Sequence, residues 1–196
     1  MKSAHRTRLL ALGAAVTVAL VGCGPAPWTA EPSGSPSTSG TAVPTPVPND
    51  LSSGATQREL VAGAVTATVD YWSTLSMDKW TADAVKPVSL NMTTVVSPAD
   101  GQKVYLQKAT MTAVPSSATG TLPALEPQVD SSTVSPGYLV LSPYSYSQTF
   151  NVGPLPEETV SVTLQFAYDF LVQTTPTSKE YAKQTATDSL TIAVVD

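Results

Sequence analysis

The sequence predicts an all-β domain over residues 56–196, a single immunoglobulin-like antiparallel β-sandwich, and three observations carry this prediction. Apolar residues recur at every second position over long stretches, turn-forming Gly, Pro, Asn and Asp separate these stretches, and helical spacing is rare. The segment is long enough to bury a core without help from a metal ion or a disulfide. Many strands with few helices are typical of two packed antiparallel sheets.

The clearest strand is predicted over residues 160–172, where apolar and mostly polar residues alternate. Its apolar face is expected to consist of Val160, Val162, Leu164, Phe166, Tyr168, Phe170 and Val172. Shorter alternations predict strands over 88–92 and 190–194. Further candidate strands cover 102–114, 138–141 and 144–152, with turns predicted at Asp100-Gly101 and Pro136-Gly137.

One segment, residues 59–72, fits two structures. Val61, Val65 and Val69 recur with a spacing that suits a helix, but they also share one face of a strand. The β-branched Thr66 and Thr68 favour extended structure, so we predict a strand.

Residues 1–23 have the pattern of a targeting segment. Three basic residues precede a short apolar run over 9–21, and the stretch ends in Leu20-Val21-Gly22-Cys23. The run is shorter than the about 20 apolar residues that a membrane-spanning helix needs, and it suits the apolar region of a secretion signal.

This segment resembles the precursor of a bacterial lipoprotein, with a lipobox at Leu20-Val21-Gly22-Cys23. The resemblance implies that residues 1–22 are a signal peptide that is removed and that the Cys23 thiol carries a diacylglyceryl group. The protein would then be lipid-anchored on the outer face of the cytoplasmic membrane, in the cell envelope. Two acyl chains are a sufficient anchor for this, because each buried methylene contributes about 0.8 kcal/mol.

Residues 23–55 are rich in Pro, Ser, Thr, Gly and Ala and have few charged or large apolar side chains. Such a composition cannot build a core, so we predict a disordered tether between the lipidated cysteine and the domain. The overall composition, rich in Ala, Thr and Val and poor in Lys, resembles that of actinobacterial proteins.

The composition excludes several classes of function. Removal of the signal takes away the only histidine, His5, and lipidation blocks the only cysteine, Cys23. Ser-His-Asp and Cys-His catalysis, imidazole or thiolate metal sites and disulfides are therefore excluded, and we predict no cofactor. The remaining seven basic residues face fifteen acidic ones, which argues against a nucleic-acid partner.

The longest stretch without a predicted element is 115–137, and long irregular loops in compact domains tend to be functional. Leu122, Leu125 and Glu126 are our candidate contact residues in this loop. The alternative is that Leu122, Leu125 and Val129 only cover an open sheet edge.

Tyr144 and Tyr146 are two positions apart, so a strand would place them on one face, where they could stack on a sugar. Phe150 and Val152 continue the same alternation, which favours the alternative that both tyrosines point towards the core.

Three further patterns in the sequence could indicate a catalytic or metal-binding site. Ser76-Met77-Asp78-Lys79 matches the S-x-x-K arrangement of serine enzymes activated by lysine, but the accompanying elements of those enzymes are absent and a turn is the better interpretation. Methionines that could bind copper(I) and acids that could bind calcium lack the spacing of known sites, so we predict no metal. They are Met77, Met92 and Met111, and Asp100, Asp130, Glu157, Glu158 and Asp169.

The sequence thus predicts a non-catalytic lipoprotein whose β-sandwich binds an envelope or extracellular partner. The membrane is contacted through the lipid, and the partner is a cell-wall component, a glycan or a protein. Two alternatives stay open: an envelope hydrolase that uses Asp169, or Glu157 with Glu158, and a structural lipoprotein without a specific ligand. The oligomeric state is left open.

Overall fold

The computed structural model describes residues 46–195, so the predicted signal peptide, Cys23 and most of the tether lie outside the described residues. The described chain is all-β, with no α-helix and one 3₁₀ turn at Met77–Lys79. Its strands are β1 Ala55–Ala62, β2 Val65–Trp72, β3 Lys86–Val96, β4 Val104–Ser117, β5 Gly120–Thr121, β6 Gln128–Ser131, β7 Tyr138–Leu139, β8 Tyr146–Val152, β9 Thr159–Gln173 and β10 Tyr181–Ala193. Within residues 46–195, no helix is long and apolar enough to cross a membrane.

The strands form two antiparallel sheets. One has four strands in the order β1-β2-β3-β8. The other has six, with the path β10-β9-β4-β5 and with β6 and β7 also paired to β4. The two sheets bury their inner faces against each other, as the contact between the Tyr71 ring of β2 and the Phe166 ring of β9 shows, with ring centroids 5.0 Å apart.

The alternation in the sequence locates most of the core. In β9, the residues from Val162 to Phe170 at alternate positions are buried, as predicted, whereas Val160 at the start of the strand is 37% exposed. The predicted core positions of 88–92 are likewise fully buried in β3. These alternating apolar residues form the buried face of each strand, and their burial is the main favourable contribution to folding.

Residues 59–72 are extended, but the prediction of one strand is wrong because the chain reverses in the middle. Gly63 has a φ of +57°, a left-handed conformation that favours glycine, and β1 and β2 pair around this turn. The register pairs Val61 with Thr66, so Val61 lies on the outer face and is 69% exposed while Val65 is buried.

The folded unit includes residues that the sequence assigned to the tether. Leu51 is fully buried, and the Asp50 backbone N–H donates to the Thr191 carbonyl at 2.8 Å. The Asp50 side chain accepts from the Thr191 backbone N–H at 2.7 Å and pairs with Arg58 at 2.8 Å. The start of the described chain is therefore attached to β10, ahead of the boundary predicted at residue 56.

Lys86 is fully buried at the start of β3. Its ammonium group donates to the backbone carbonyls of Thr81, Ala82 and Ala84, which satisfies all three of its donors. Burial lowers the pKa of Lys86. The side chain thus fixes the loop between the 3₁₀ turn and β3.

The segment 115–137 is irregular only in part, over 122–127 and 132–137, so the prediction of one long irregular stretch is too broad. The segment contains the end of β4, β5 and the edge strand β6, whose side chains reach across to the other sheet. The Gln128 side chain exchanges hydrogen bonds with the Asn151 backbone, and the Tyr146 hydroxyl donates to Asp130 at 2.7 Å. The segment therefore joins the two sheets along one side.

Candidate functional site

Two of the three residues predicted to make contacts in 115–137, Leu122 and Leu125, are partly buried and tied to β4 by backbone hydrogen bonds. Leu125 is partly buried against the core and donates from its backbone N–H to the Ala113 carbonyl at 2.8 Å. Leu122 is half-buried and donates to the Pro115 carbonyl at 2.9 Å, while Glu126 is exposed. This arrangement supports the alternative in which the segment covers a sheet edge.

Tyr144 and Tyr146 do not share a face. Tyr146 is 6% exposed, stacks on Tyr138 with ring centroids 5.5 Å apart and, through burial and its bond to Asp130, has a raised pKa. Tyr144 is 58% exposed because β8 begins only at Tyr146 and Tyr144 lies in the preceding turn, where its N–H donates to the Leu141 carbonyl. The core interpretation is confirmed for Tyr146 and wrong for Tyr144.

The candidate chemical groups of the sequence lie in different parts of the described chain. Ser76 precedes the exposed 3₁₀ turn, and the Lys79 ammonium pairs with Asp78 at 3.6 Å. Glu157 and Glu158 are exposed in the connection between β8 and β9. No group of three or more His, Cys, Asp or Glu side chains within residues 46–195 could hold a metal ion, and Met92 and Met111 lie in the core.

The feature that distinguishes the molecule is a polar surface on the outer face of the six-stranded sheet. Lysines and tyrosines from β10, from β4 and from the residue before β4 lie there on both sides of β9, and we call this surface the lysine–tyrosine face. Its members are Lys103, Tyr105, Lys108, Tyr181 and Lys183. The register places Tyr105 and Lys183 beside Leu171, and Lys108 beside Asp169 in the next row.

A β-bulge in β4 turns Lys108 onto this face. Val104 and Leu106 are buried on the inner side, so uninterrupted alternation would point residue 108 into the core as well. The register shifts between Leu106 and Lys108, which leaves Gln107 as an extra residue and places Ala109 in the core instead. Bulges commonly redirect a side chain in this way next to functional sites.

Asp169 is the centre of the face. Its Oδ1 accepts from the Thr185 hydroxyl at 2.7 Å, and its Oδ2 lies 3.0 Å from the Lys183 Nζ and 3.3 Å from the Lys108 Nζ. Burial raises the pKa of Asp169, but the hydrogen bonds from Thr185 and the two lysines outweigh it and hold the pKa below its usual value. The carboxylate therefore stays ionised and holds two ammonium groups around one oxygen.

The two tyrosines lie at one end of the face. The Tyr105 and Tyr181 rings are 5.9 Å apart and meet edge to face, an arrangement that favours aromatic pairs. Each ring is half-buried, so part of its surface is open to solvent.

Further along the same strands, next to the lysine–tyrosine face, the outer surface of the sheet contains a shallow depression of about 500 Å³. Ala167 on the central strand has a small side chain, and the register places Thr110 and Thr187 on either side of it. The hydroxyl and amide side chains of Thr112, Gln165 and Ser189 line the rest of it, and Phe166 and the acidic Asp188, which pair with each other across β9 and β10, also border it.

The four-stranded sheet offers a different groove on its outer face. Trp72 forms one side of a recess of about 290 Å³, and the Ser89 and Thr149 hydroxyls lie 2.8 Å apart within it. None of its lining side chains is charged, which makes it a useful control surface.

Sequence reasoning missed the lysine–tyrosine face altogether. Polar residues recur at alternate positions over 181–189, which is typical of a strand with one solvent-exposed face. Only the strand register shows that Lys183 and Lys108 lie on either side of β9. Comparison with other proteins adds no assignment, because no family model matches this chain and no characterised protein is significantly similar to it.

Proposed function

We propose that the protein is an envelope lipoprotein, anchored by a lipid on Cys23 to the outer face of the cytoplasmic membrane, whose immunoglobulin-like sandwich binds an envelope polysaccharide without catalysing a reaction. The observation that carries the proposal is the lysine–tyrosine face with its adjoining depression. The anchor rests on the lipobox in the sequence.

The chemistry of the face suits a sugar polymer. Aromatic rings such as Tyr105 and Tyr181 offer an apolar surface to a sugar ring and a hydroxyl at its edge. The hydroxyls and amides around Ala167 provide donors and acceptors for sugar hydroxyls. From Tyr105 to Thr112 the strand extends about 20 Å, which accommodates several sugar units of a chain.

The state of Asp169 supports binding rather than hydrolysis. A glycosidase needs a carboxylic acid whose pKa is raised so that it can donate a proton. Asp169 is buried, at 7% exposed, and the hydrogen bonds from Thr185 and the two lysines hold its pKa below the usual value.

The binding test uses the full-length protein, extracted in detergent and mixed with insoluble cell-wall material from the producing bacterium. The protein should sediment with the wall material, and the double variant Tyr105→Ala, Tyr181→Ala should stay in the supernatant. Trp72→Ala on the opposite sheet is the matched aromatic control and should bind as the unaltered protein does. If the unaltered protein does not sediment with wall material, the proposed binding function is wrong.

The anchor has its own test. The variant Cys23→Ser should move from the membrane fraction to the soluble fraction, because the thiol that carries the acyl chains is gone. A variant that stays with the membrane would show that Cys23 is not the anchor.

A further inference from the structure

We infer that the polysaccharide bound by the lysine–tyrosine face is anionic, with carboxylate or phosphate groups along the chain. This inference rests on the proposed function and specifies its ligand. Three features of the face support it: its positive charge, the solvent exposure of its ammonium groups, and the pairing of its central strand on both sides.

The charge of the face is opposite to that of the protein. The whole chain has a formal net charge of −5, yet Lys108 and Lys183 both lie beside Asp169, and Lys103 is exposed two residues before Tyr105 of the same face. Because the Asp169 side chain is 10% exposed, solvent and ligands meet mainly the ammonium groups. A local positive patch on an acidic protein attracts and orients anionic partners.

The ammonium groups are also positioned for a ligand. The Lys108 and Lys183 side chains are 43% and 55% exposed although both pair with Asp169. Each ammonium group has three N–H donors, and its contact with Asp169 occupies one of them. The other donors can bind an anion. Lys103 is exposed and forms none of the ion pairs found between described residues.

The backbone of this face favours a glycan over an acidic peptide. Strand β9, at its centre, is paired on both sides with β4 and β10, and the open strand edge lies on the far side of β10. A peptide strand added there would extend the sheet beyond β10 and would not lie across the face. A ligand that lies across the face is therefore bound by side chains, and beyond the lysines these are mainly tyrosines, hydroxyls and amides. These groups match the ring faces and hydroxyls of sugars.

The test measures binding of the full-length protein in detergent to soluble polymers that differ only in charge. Polygalacturonate is compared with its fully methyl-esterified form, and a phosphorylated mannan with neutral mannan. We expect binding to at least one charged polymer, weaker or no binding to its neutral partner, and loss of binding as salt rises. The pair that shows the larger difference identifies carboxylate or phosphate as the preferred group.

Substitutions locate the effect on the face. Lys103→Gln should weaken binding of the charged polymer about two- to five-fold, the range for an exposed ion pair. Lys79→Gln removes the same charge from a distant exposed site and should leave binding unchanged.

Two results would overturn the inference while leaving the proposed function intact: wall material binds but neutral polymers bind as tightly as charged ones, or Lys103→Gln and Lys79→Gln have the same effect. Binding of polyglutamate as tight as that of the anionic glycans would overturn the choice of a glycan. Failure to bind wall material would overturn the proposed function itself.

Discussion

Asp169→Asn is the substitution that most directly tests the centre of the lysine–tyrosine face. Asparagine keeps nearly the same shape and can still accept the Thr185 hydroxyl that now lies 2.7 Å from Oδ1. It loses the charge that faces Lys183 at 3.0 Å and Lys108 at 3.3 Å. The variant therefore removes two ion pairs and little packing.

The expected loss of stability follows from the exposure of the partners. Both lysine side chains are about half exposed, so each pair is worth the 0.2–1 kcal/mol, roughly, of a solvated ion pair rather than the value of a buried one. The two ammonium groups then repel each other without a counter-charge. We expect the free energy of unfolding at pH 7 to fall by about 1–2 kcal/mol and Tm by about 2–8 °C.

The pH dependence of this stability difference distinguishes the loss of the charge from a loss of packing. Because the pKa of Asp169 is lower in the folded state, its contribution is fully present above its ordinary pKa of about 4. The contribution is lost as the pH falls through the lower folded-state pKa, where the folded protein takes up the proton. The difference in stability between the two proteins should therefore be constant from about pH 5 to 7 and shrink towards pH 2.

The assay is urea unfolding followed by tryptophan fluorescence at a series of pH values, with Asp70→Asn as control. Asp70 accepts one hydrogen bond from Gln57 on the exposed face of the other sheet, so its substitution should change the stability by less than about 0.5 kcal/mol. A pH-independent loss would mean that the effect comes from packing. No loss at any pH would refute the role of Asp169 in holding the lysines.

Three further substitutions test the fold. Lys86→Met should lower the free energy of unfolding by about 1–3 kcal/mol, since buried carbonyls lose their donor, whereas exposed Lys79→Met should be neutral by the same urea titration. Gly137→Ala should cost about 1–3 kcal/mol, because a Cβ there would lie 2.6 Å from the Leu106 carbonyl oxygen; Gly153→Ala, where no atom lies within 4 Å, should cost nothing in a thermal melt. Tyr168→Phe should cost about 1–3 kcal/mol by leaving the buried Tyr71 hydroxyl, now 2.9 Å away, without its partner; equal stability in calorimetry would contradict this.

The sequence was a good guide wherever one face of a strand is buried without interruption. The period of two in 160–172 predicted both the strand and its buried residues, because β9 lies in the middle of its sheet and packs along almost its whole length. The same pattern failed in 59–72, where a turn of two residues at Gly63 joins two strands whose residues have similar spacing.

The candidate site could not be predicted from local patterns. The bulge at Gln107 changes which face Lys108 occupies, and nothing in the neighbouring residues indicates it. The partnership of Lys108, Asp169 and Lys183 depends on the register of three strands that are far apart in the chain. The binding prediction for 115–137 rested on the length of a stretch without recognisable elements. The short strand β6 within it escaped the sequence analysis because its four residues are too few for a clear alternation, and it joins the sheets through Gln128 and Asp130.

We expect the ligand in the cell to contact the lysine–tyrosine face and its adjoining depression, and not the segment 115–137. In-cell photocrosslinking compares two exposed positions, Thr187 in the depression and Glu126 in the segment, each replaced by a diazirine amino acid. We predict that position 187 yields carbohydrate-bearing adducts, identified by mass spectrometry, and that position 126 does not. Adducts from position 126 alone, or only protein adducts from position 187, would contradict the account.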